Sequence, residues 1–375
     1  MDCYSTDRTI SARGILFELL RRGLWVDRPE LVIAEFNKVD SYTWEDVYNL
    51  ARKHTVEAVV FDAFKYLPKD SLPPEPLLAR WVVQIERIEK RNQQLDSFIA
   101  SQWRWFQSNN LSPLMLKGQG VAQAYAISSH RISGDIDWRL DELSYSTAKN
   151  LLELLNQDLT SDGLASLSYI RKGVIVEHHK DVFNLTNPFL KRYLKVLVEQ
   201  SEAENSRITI GGEKIKVLSP LMQIVQVNIH ILKHLLAFGV GLRQLCDSAR
   251  VYHYYRGSYD PGELQRIYQR MGVLSWTHYL HDVLVNHFGL LASDLPYPVP
   301  NGIKSEWMIE EIWMSGNFGY HDDRYKNGTL NKLSVRPDSF VRVWRSFRQY
   351  RRIAPMESIF FILTRLFAKP FHKKK

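Results

Sequence analysis

Two cysteines, Cys3 and Cys246, are all that 375 residues contain. Two cannot build a disulfide framework or a cysteine-based zinc centre, so a reducing, cytoplasmic compartment is expected. Long apolar runs are lacking as well: no stretch reaches the roughly 18–20 residues of a bilayer-spanning helix. The opening MDCYSTDRTISARGILFELLRRG carries charge at Asp2, Asp7 and Arg8 and has no continuous apolar stretch, so no signal peptide is expected. Excess charge is confined to one place. The formal net charge is +8, yet from Val341 onward ten basic residues face a single acid, Glu357, which leaves the other 340 residues at −1. A neutral body argues against a nucleic-acid platform across the surface, and no DNA partner is expected.

The remainder is ordinary for a soluble globular chain, with 45% hydrophobic and 24% charged residues and room for two or three structural units. Residues 1–110 read as an N-terminal helical region. ILFELLRRGLW puts Ile15, Leu16, Leu19 and Leu20 on one face with Gly23 as a stop, and WEDVYNLARKHTVEAVVFDAFKYL continues at helical spacing. After the break at Pro73–Pro76, a run from Leu78 to about Ser108 has no Gly or Pro inside it. The texture changes over 111–218. PLMLKG reads as a buried strand, GVAQAYAIS as an Ala-rich helix, SGDIDWRL as a second strand and STAKNLLELLNQDL as a helix. LSYIRKGVIVEHHKDVFNL is expected to turn at Lys172-Gly173, and RITIGGEKIKVLSP at Gly211-Gly212. Helix returns over 219–335, and 336–375 forms a basic amphipathic tail. The predicted fold class is α+β, a small mixed-sheet core between N-terminal and C-terminal helical regions.

Chemistry concentrates at Gly134-Asp135-Ile136-Asp137. On a strand Asp135 and Asp137 share a face while Ile136 points away. Two such carboxylates repel unless a proton or cation intervenes, and magnesium, a hard ion, takes oxygen ligands while leaving positions for phosphate. Two ions about 3.5–4 Å apart would hold the attacking and leaving oxygens of an in-line displacement. A solvated surface strand would show the same pair. Removing either acid relieves repulsion, so metal-free stability should hold or rise. Lys117-Gly118 closes the preceding strand and opens a helix whose amides favour an anion, with the lysine as a point charge. Arg131 precedes the acidic strand and is expected to contact phosphate too. In Val174-Ile175-Val176-Glu177-His178-His179, Glu177 and His179 share a face opposite Val176 and His178. Glu177 is the expected third carboxylate, as metal ligand or general base; His179 is expected to contact the acceptor or orient Glu177, or to be structural.

From about Pro113 to the 280s the chain resembles the uncharacterised bacterial nucleotidyltransferase family of the polymerase-β-like superfamily. The resemblance rests on Leu116–Gly118 (LKG), Arg131, Gly134–Asp137 (GDID) and the Glu-x-His of Glu177–His179. The helix bearing His230 and LRQLCD at Leu242–Asp247 also resemble the downstream part of that family. The usual Gly-Ser or Gly-Gly pair at the helix start is replaced here by Lys117-Gly118. The resemblance implies Mg2+ (or Mn2+), an NTP, and transfer of a nucleoside monophosphate to a hydroxyl or phosphate of a small molecule, sugar phosphate, protein or RNA. Rival expectations are a binding protein on the same fold without turnover, an RNA- or tRNA-end modifier, and an enzyme of surface-polysaccharide or secondary-metabolite assembly.

Other constellations are weaker. His230 and His234 have metal-ligand spacing but Ile231 stands where a zinc protease needs its acid, so a core or interface role is expected. Arg243 and Asp247 suit a helix ion pair or a contact with the α/β unit. Cys246 is expected to be buried, and the aromatic tracts Trp103–Phe106 and Tyr252–Tyr255 to build core. In the tail, Arg342, Arg345, Arg348 and Arg352 predict a basic stripe. SIFFILTRLFAKPF beyond it suits docking into the helical bundle through Phe360, Phe361, Leu363 and Leu366, then peripheral contact with an anionic membrane, then RNA capture.

Overall fold

The computed structural model describes residues 11–28, 39–162, 166–183, 185–237, 239–319, 322, 324 and 340–367. Cys3, Lys369 and the terminal lysines lie outside that set. Among the described residues four helices come first: α1 (Ala12–Leu24), α2 (Ser41–Lys53), α3 (Glu57–Asp62) and α4 (Glu75–Ser108). Gly23 does not end α1. It lies one residue before the end of the helix, and a methyl group there would sit 1.7 Å from the Val59 carbonyl oxygen, so glycine permits α1 and α3 to touch. The continuous run expected after Trp44 is broken between α2 and α3, where Thr55 adopts φ +56°.

α4 is long because nothing in it interrupts the backbone ladder, and its apolar positions keep helical spacing throughout. Trp81, Ile85 and Ile88 face one core; Leu95, Ile99, Trp103 and Phe106 face another. The helix thereby joins the helical bundle to the sheet.

Among the described residues seven strands make one mixed sheet: β1 (Leu114–Leu116), β2 (Asp135–Arg139), β3 (Thr160–Asp162), β4 (Ser166–Arg171), β5 (Val174–His179), β6 (Ser206–Ile210) and β7 (Glu213–Val217), ordered β3-β4-β5-β2-β1-β7-β6. β4 and β5 turn at Lys172-Gly173, and β6 and β7 at Gly211-Gly212, as expected. β2 runs parallel to β5 and antiparallel to β1. Alternation sends Ile136, Trp138, Val174 and Val176 into the core beneath α4 and α6 (Glu142–Leu154). The other face of the same strands carries the acids.

The stretch read as an Ala-rich helix is helical only in α5 (Gly118–Ala122), followed by turns and a 3-10 segment at Ser128–His130. Its dipole is correspondingly small, since few peptide units align. α7 (Lys191–Ser201) precedes β6. The C-terminal bundle comprises α8 (Pro220–Ala237), α9 (Leu242–Tyr254), α10 (Pro261–Arg270), α11 (Leu274–Phe288), α12 (Glu306–Ser315), α13 (Phe340–Tyr350) and α14 (Pro355–Phe367). It shares one hydrophobic core with α1–α3. Trp25 donates its indole N–H to the Phe288 carbonyl at 2.7 Å, and Arg250 pairs with Asp27 at 3.1 Å.

The tail joins this bundle. Val343, Tyr350, Ile353 and Phe361 are buried, Phe360 is half-buried and Leu363 lies at the surface. The expected stripe needs correction. Arg342 is buried near Asp322 and Arg345 pairs with Glu311 at 3.0 Å, leaving Arg348, Arg351 and Arg352 exposed.

Candidate active site

β2 and β5 set the geometry. Parallel pairing places Asp137 directly beside Glu177, Asp135 beside Ile175 and Arg139 beside His179. All the odd-numbered residues of the two strands therefore face one way. The ligand atoms of Asp137, Glu177 and His179 lie within 4.8 Å of one another, close enough for a single cation to touch all three. Asp135 stands one step back along β2, at the exposed start of the strand, outside that cluster. The structure thus brings the three predicted acids to one face and adds His179 to the tightest group.

Lys117 reaches back over this face, its Nζ 3.2 Å from Asp137 Oδ2. It does so from a backbone with φ +47° and ψ −144°, followed by Gly118 at φ +49°. Such a conformation is rare for a residue with a Cβ, and strain of this kind persists where the surroundings over-determine it. His179 Nε2 lies 2.7 Å from Asp137 Oδ1 and 3.3 Å from Glu177 Oε2.

These contacts separate the two aspartates electrostatically. Burial opposes ionisation of Asp137, but the Lys117 charge and the His179 hydrogen bond outweigh it and hold the carboxyl well below the usual range. At Asp135 the surrounding protein and the nearby Asp137 charge push the carboxyl up. Burial disfavours the charged forms of Lys117 and His179, yet the acids raise both above their ordinary values. The charge of Asp137 is favoured where it sits and that of Asp135 is disfavoured, so loss of the first is expected to cost stability in the metal-free protein and loss of the second to relieve it.

Arg131 is placed differently from the expectation. Its guanidinium donates to both oxygens of Asp247, at 2.8 and 2.7 Å, and to Ser133 Oγ at 2.7 Å. Tyr125 also donates to Asp247, at 2.7 Å, and Arg243 donates to the Ile132 carbonyl at 2.6 Å. Arg243 and Asp247 therefore do not pair with each other; both tie α9 to the loop that enters β2. A second chain, Ser133 to Gln119 to Asp96, ties that loop to α4. Arg131 acts in this frame, with its charge already engaged. Cys246 and Tyr252 are buried as expected.

Sequence reasoning found the helix bearing His230 but not that it covers the site. Gln226, His230 and Lys233 of α8 line a small cavity with Lys117, His179 and Phe183. His230 was expected in core or interface; its ring packs edge-on against His234, with centroids 4.2 Å apart, and it also faces this cavity. A signal existed: the three residues recur at i, i+4 and i+7 along α8. Burial, with the Lys117 charge nearby, drives the His230 imidazole well below its ordinary pKa, which favours the neutral ring.

One sheet face of this α+β chain carries three acids and His179, and Lys117 reaches over them beside the cavity that α8 covers. The chain belongs to the uncharacterised nucleotidyltransferase family, whose model matches residues 40–289. Among solved structures, it is similar to an antigenic nucleotidyltransferase-like protein from Paracoccidioides brasiliensis at 15% identity and a TM-score of 0.30, covering 55% of this chain and 93% of that one. No curated protein matches it.

Proposed function

We propose that the protein transfers a nucleoside monophosphate from an NTP to a hydroxyl or phosphate acceptor, with Mg2+ or Mn2+ held by Asp135, Asp137 and Glu177. The observation that carries this reading is the in-register pairing of Asp137 with Glu177 on parallel strands, beside Lys117. The donor set fits a divalent cation: the carboxylates are oxygen ligands, and Asp137 is held ionised although 2% exposed. His179 Nε2, within the same cluster, makes Mn2+ as suitable as Mg2+. When bound, the cation neutralises charge on the phosphates and orients them.

The protein's own groups do the rest. Lys117 and the Gly118 amide hold phosphate oxygens, and Arg131 is omitted because Asp247 engages it. Glu177, partly open to solvent, accepts the proton of the acceptor hydroxyl, and His179 orients it. The acceptor oxygen bonds to the α-phosphorus, the bond from that phosphorus to the bridging oxygen breaks, and diphosphate leaves. The strand pattern supports placement in the polymerase-β-like superfamily. Incubation with each labelled NTP, Mg2+ or Mn2+ and a cell extract tests the reading and identifies the acceptor. NTP binding without transfer would instead favour a binding protein on the same fold; labelled tRNA ends would favour an RNA modifier.

We also infer peripheral contact between this cytoplasmic protein and an anionic membrane through α13 and α14. Among the described residues no helix is long and apolar enough to cross a bilayer. Met356, Ile359 and Leu363 nevertheless form an exposed apolar face on α14, next to exposed Arg351 and Arg352.

A further inference from the structure

We propose that the face of α8 bearing Gln226, His230 and Lys233 is a phosphate subsite that takes the diphosphate end of the nucleotide. This assignment rests on the nucleotidyl-transfer reading and specifies which residues serve it.

α8 is buried along nearly its whole length within the bundle core. A helix in that setting keeps its buried polar groups paired, as Gln223 and Asn228 are, because each one without a partner costs roughly 1–3 kcal/mol. Gln226 departs from that rule. It is 3% exposed, and its amide Nε2 has no hydrogen-bond partner. The side chain lines the cavity between α8 and the acidic face. His230 and Lys233 follow on the same side of the helix and line the same cavity, which Lys117 closes from below. With His179 of β5, five nitrogen-bearing side chains thus meet around one small space.

The chemistry of that space is that of an anion site. Lysines 117 and 233 bring positive charge, and the Gln226 amide brings a neutral N–H donor that an oxygen ligand would satisfy. A single acid borders the cavity, Asp181, and it is exposed. The carboxylates of Asp137 and Glu177 lie on the sheet beneath, with Lys117 Nζ 3.2 Å from Asp137. A phosphate chain that begins at the carboxylates and continues past Lys117 would end against α8. Diphosphate is the part of an NTP that carries most charge and leaves during transfer, so it is the part this wall recognises. The α8 wall also supplies what Arg131 cannot, since that guanidinium is engaged by Asp247.

The test is calorimetric titration of inorganic diphosphate, and separately of NTP, in the presence of Mg2+. Wild type is compared with Gln226→Leu, Lys233→Gln and Lys233→Arg, and the ligand-induced rise in Tm is recorded for each. Gln226→Leu and Lys233→Gln should bind diphosphate at least about tenfold more weakly, and Lys233→Arg nearly as well as wild type. Without ligand, Gln226→Leu should melt no lower than wild type, because an unpaired amide is replaced by an apolar group of similar size. Wild-type affinity in both Gln226→Leu and Lys233→Gln, from a protein that still transfers nucleotide, would overturn the subsite and leave the transfer reading intact. Diphosphate binding that depends on α8 in a protein that transfers nothing would uphold the subsite and remove the transfer reading.

Discussion

Asp137 and Glu177 occupy directly opposed positions on the parallel strands β2 and β5, and His179 places one ring nitrogen 2.7 Å from the first and 3.3 Å from the second. The pairing makes a dyad from residues 40 apart in sequence. It also means that the acids differ in kind. Asp137 is buried and held ionised by neighbours, while Asp135 is open and held less comfortably.

That difference has opposite effects in two conservative variants. Asp137→Asn and Asp135→Asn should both abolish nucleotide transfer. At pH 7 without metal, Asp137→Asn should lose roughly 1–3 kcal/mol, the cost of leaving a buried charge partner unsatisfied. Asp135→Asn should hold or gain stability. The signs follow from linkage: the lowered pKa of Asp137 contributes stability above the unfolded value that is lost as pH falls through the folded one. The raised pKa of Asp135 costs stability at neutral pH. Equal denaturation midpoints for the two variants would contradict the assignment of Lys117 and His179 to Asp137.

Lys117 separates strain from charge. Lys117→Ala and Lys117→Gly should both weaken NTP affinity by roughly tenfold or more, since each removes the same ammonium. Lys117→Gly should nevertheless be the more stable of the two by about 1 kcal/mol, because glycine accepts φ +47° without penalty. Titration and melting curves on the same samples check both halves. Unchanged NTP affinity would return Lys117 to an ordinary turn.

How much of this was legible in the sequence depends on range. Local periodicity sufficed for α4, for the β4–β5 and β6–β7 hairpins, and for the shared face of Glu177 and His179. Partners far apart in the chain were not legible. Nothing near Arg131 announces that Asp247 will accept from it with both carboxylate oxygens, and Asp247 read as well as a partner for Arg243. Gly23 looked like a stop because its crowding neighbour, Val59, lies on another helix. α7 carries an amphipathic pattern that sequence reading passed over, and β3 is too short to register. Gln226 was hidden for a different reason: α8 also holds Gln223 and Asn228, and spacing alone does not tell which amide lines the cavity.

Glu57 predicts a pH dependence of stability remote from the site. Burial pushes its carboxyl up to about 7, with Gln84 donating to one oxygen at 3.3 Å and the other oxygen unpartnered. The folded state therefore binds this proton more tightly than the unfolded chain. Its contribution declines as pH rises from the unfolded carboxylate value, near 4.5, to about 7, and stays constant above. Glu57→Gln should raise stability at pH 8 by roughly 1–3 kcal/mol and change little at pH 4. Denaturation at the two pH values checks this, and an equal shift at both would show that charge is not the cause.

Truncation before Met356 removes Phe361 from the core and Glu357 from its hydrogen bonds to Thr186 and Asn187. The truncated protein should melt lower yet keep the acidic face intact. Full-length protein should bind vesicles of mixed neutral and anionic lipid at low salt, less at moderate salt, and the truncation less than either. A truncation as stable as wild type would refute the docking of α14, and absence of vesicle binding by the full-length protein would refute membrane contact.

The central claim is tested most directly by transfer of label from an α-phosphate-labelled NTP into acceptor in a cell extract, with Mg2+ or Mn2+, for wild type beside Asp137→Asn. The account predicts a labelled product from wild type that requires the cation, release of diphosphate in equal amount, and neither from the variant. Equal labelling by wild type and Asp137→Asn at saturating cation, or labelling unaffected by chelator, would contradict it.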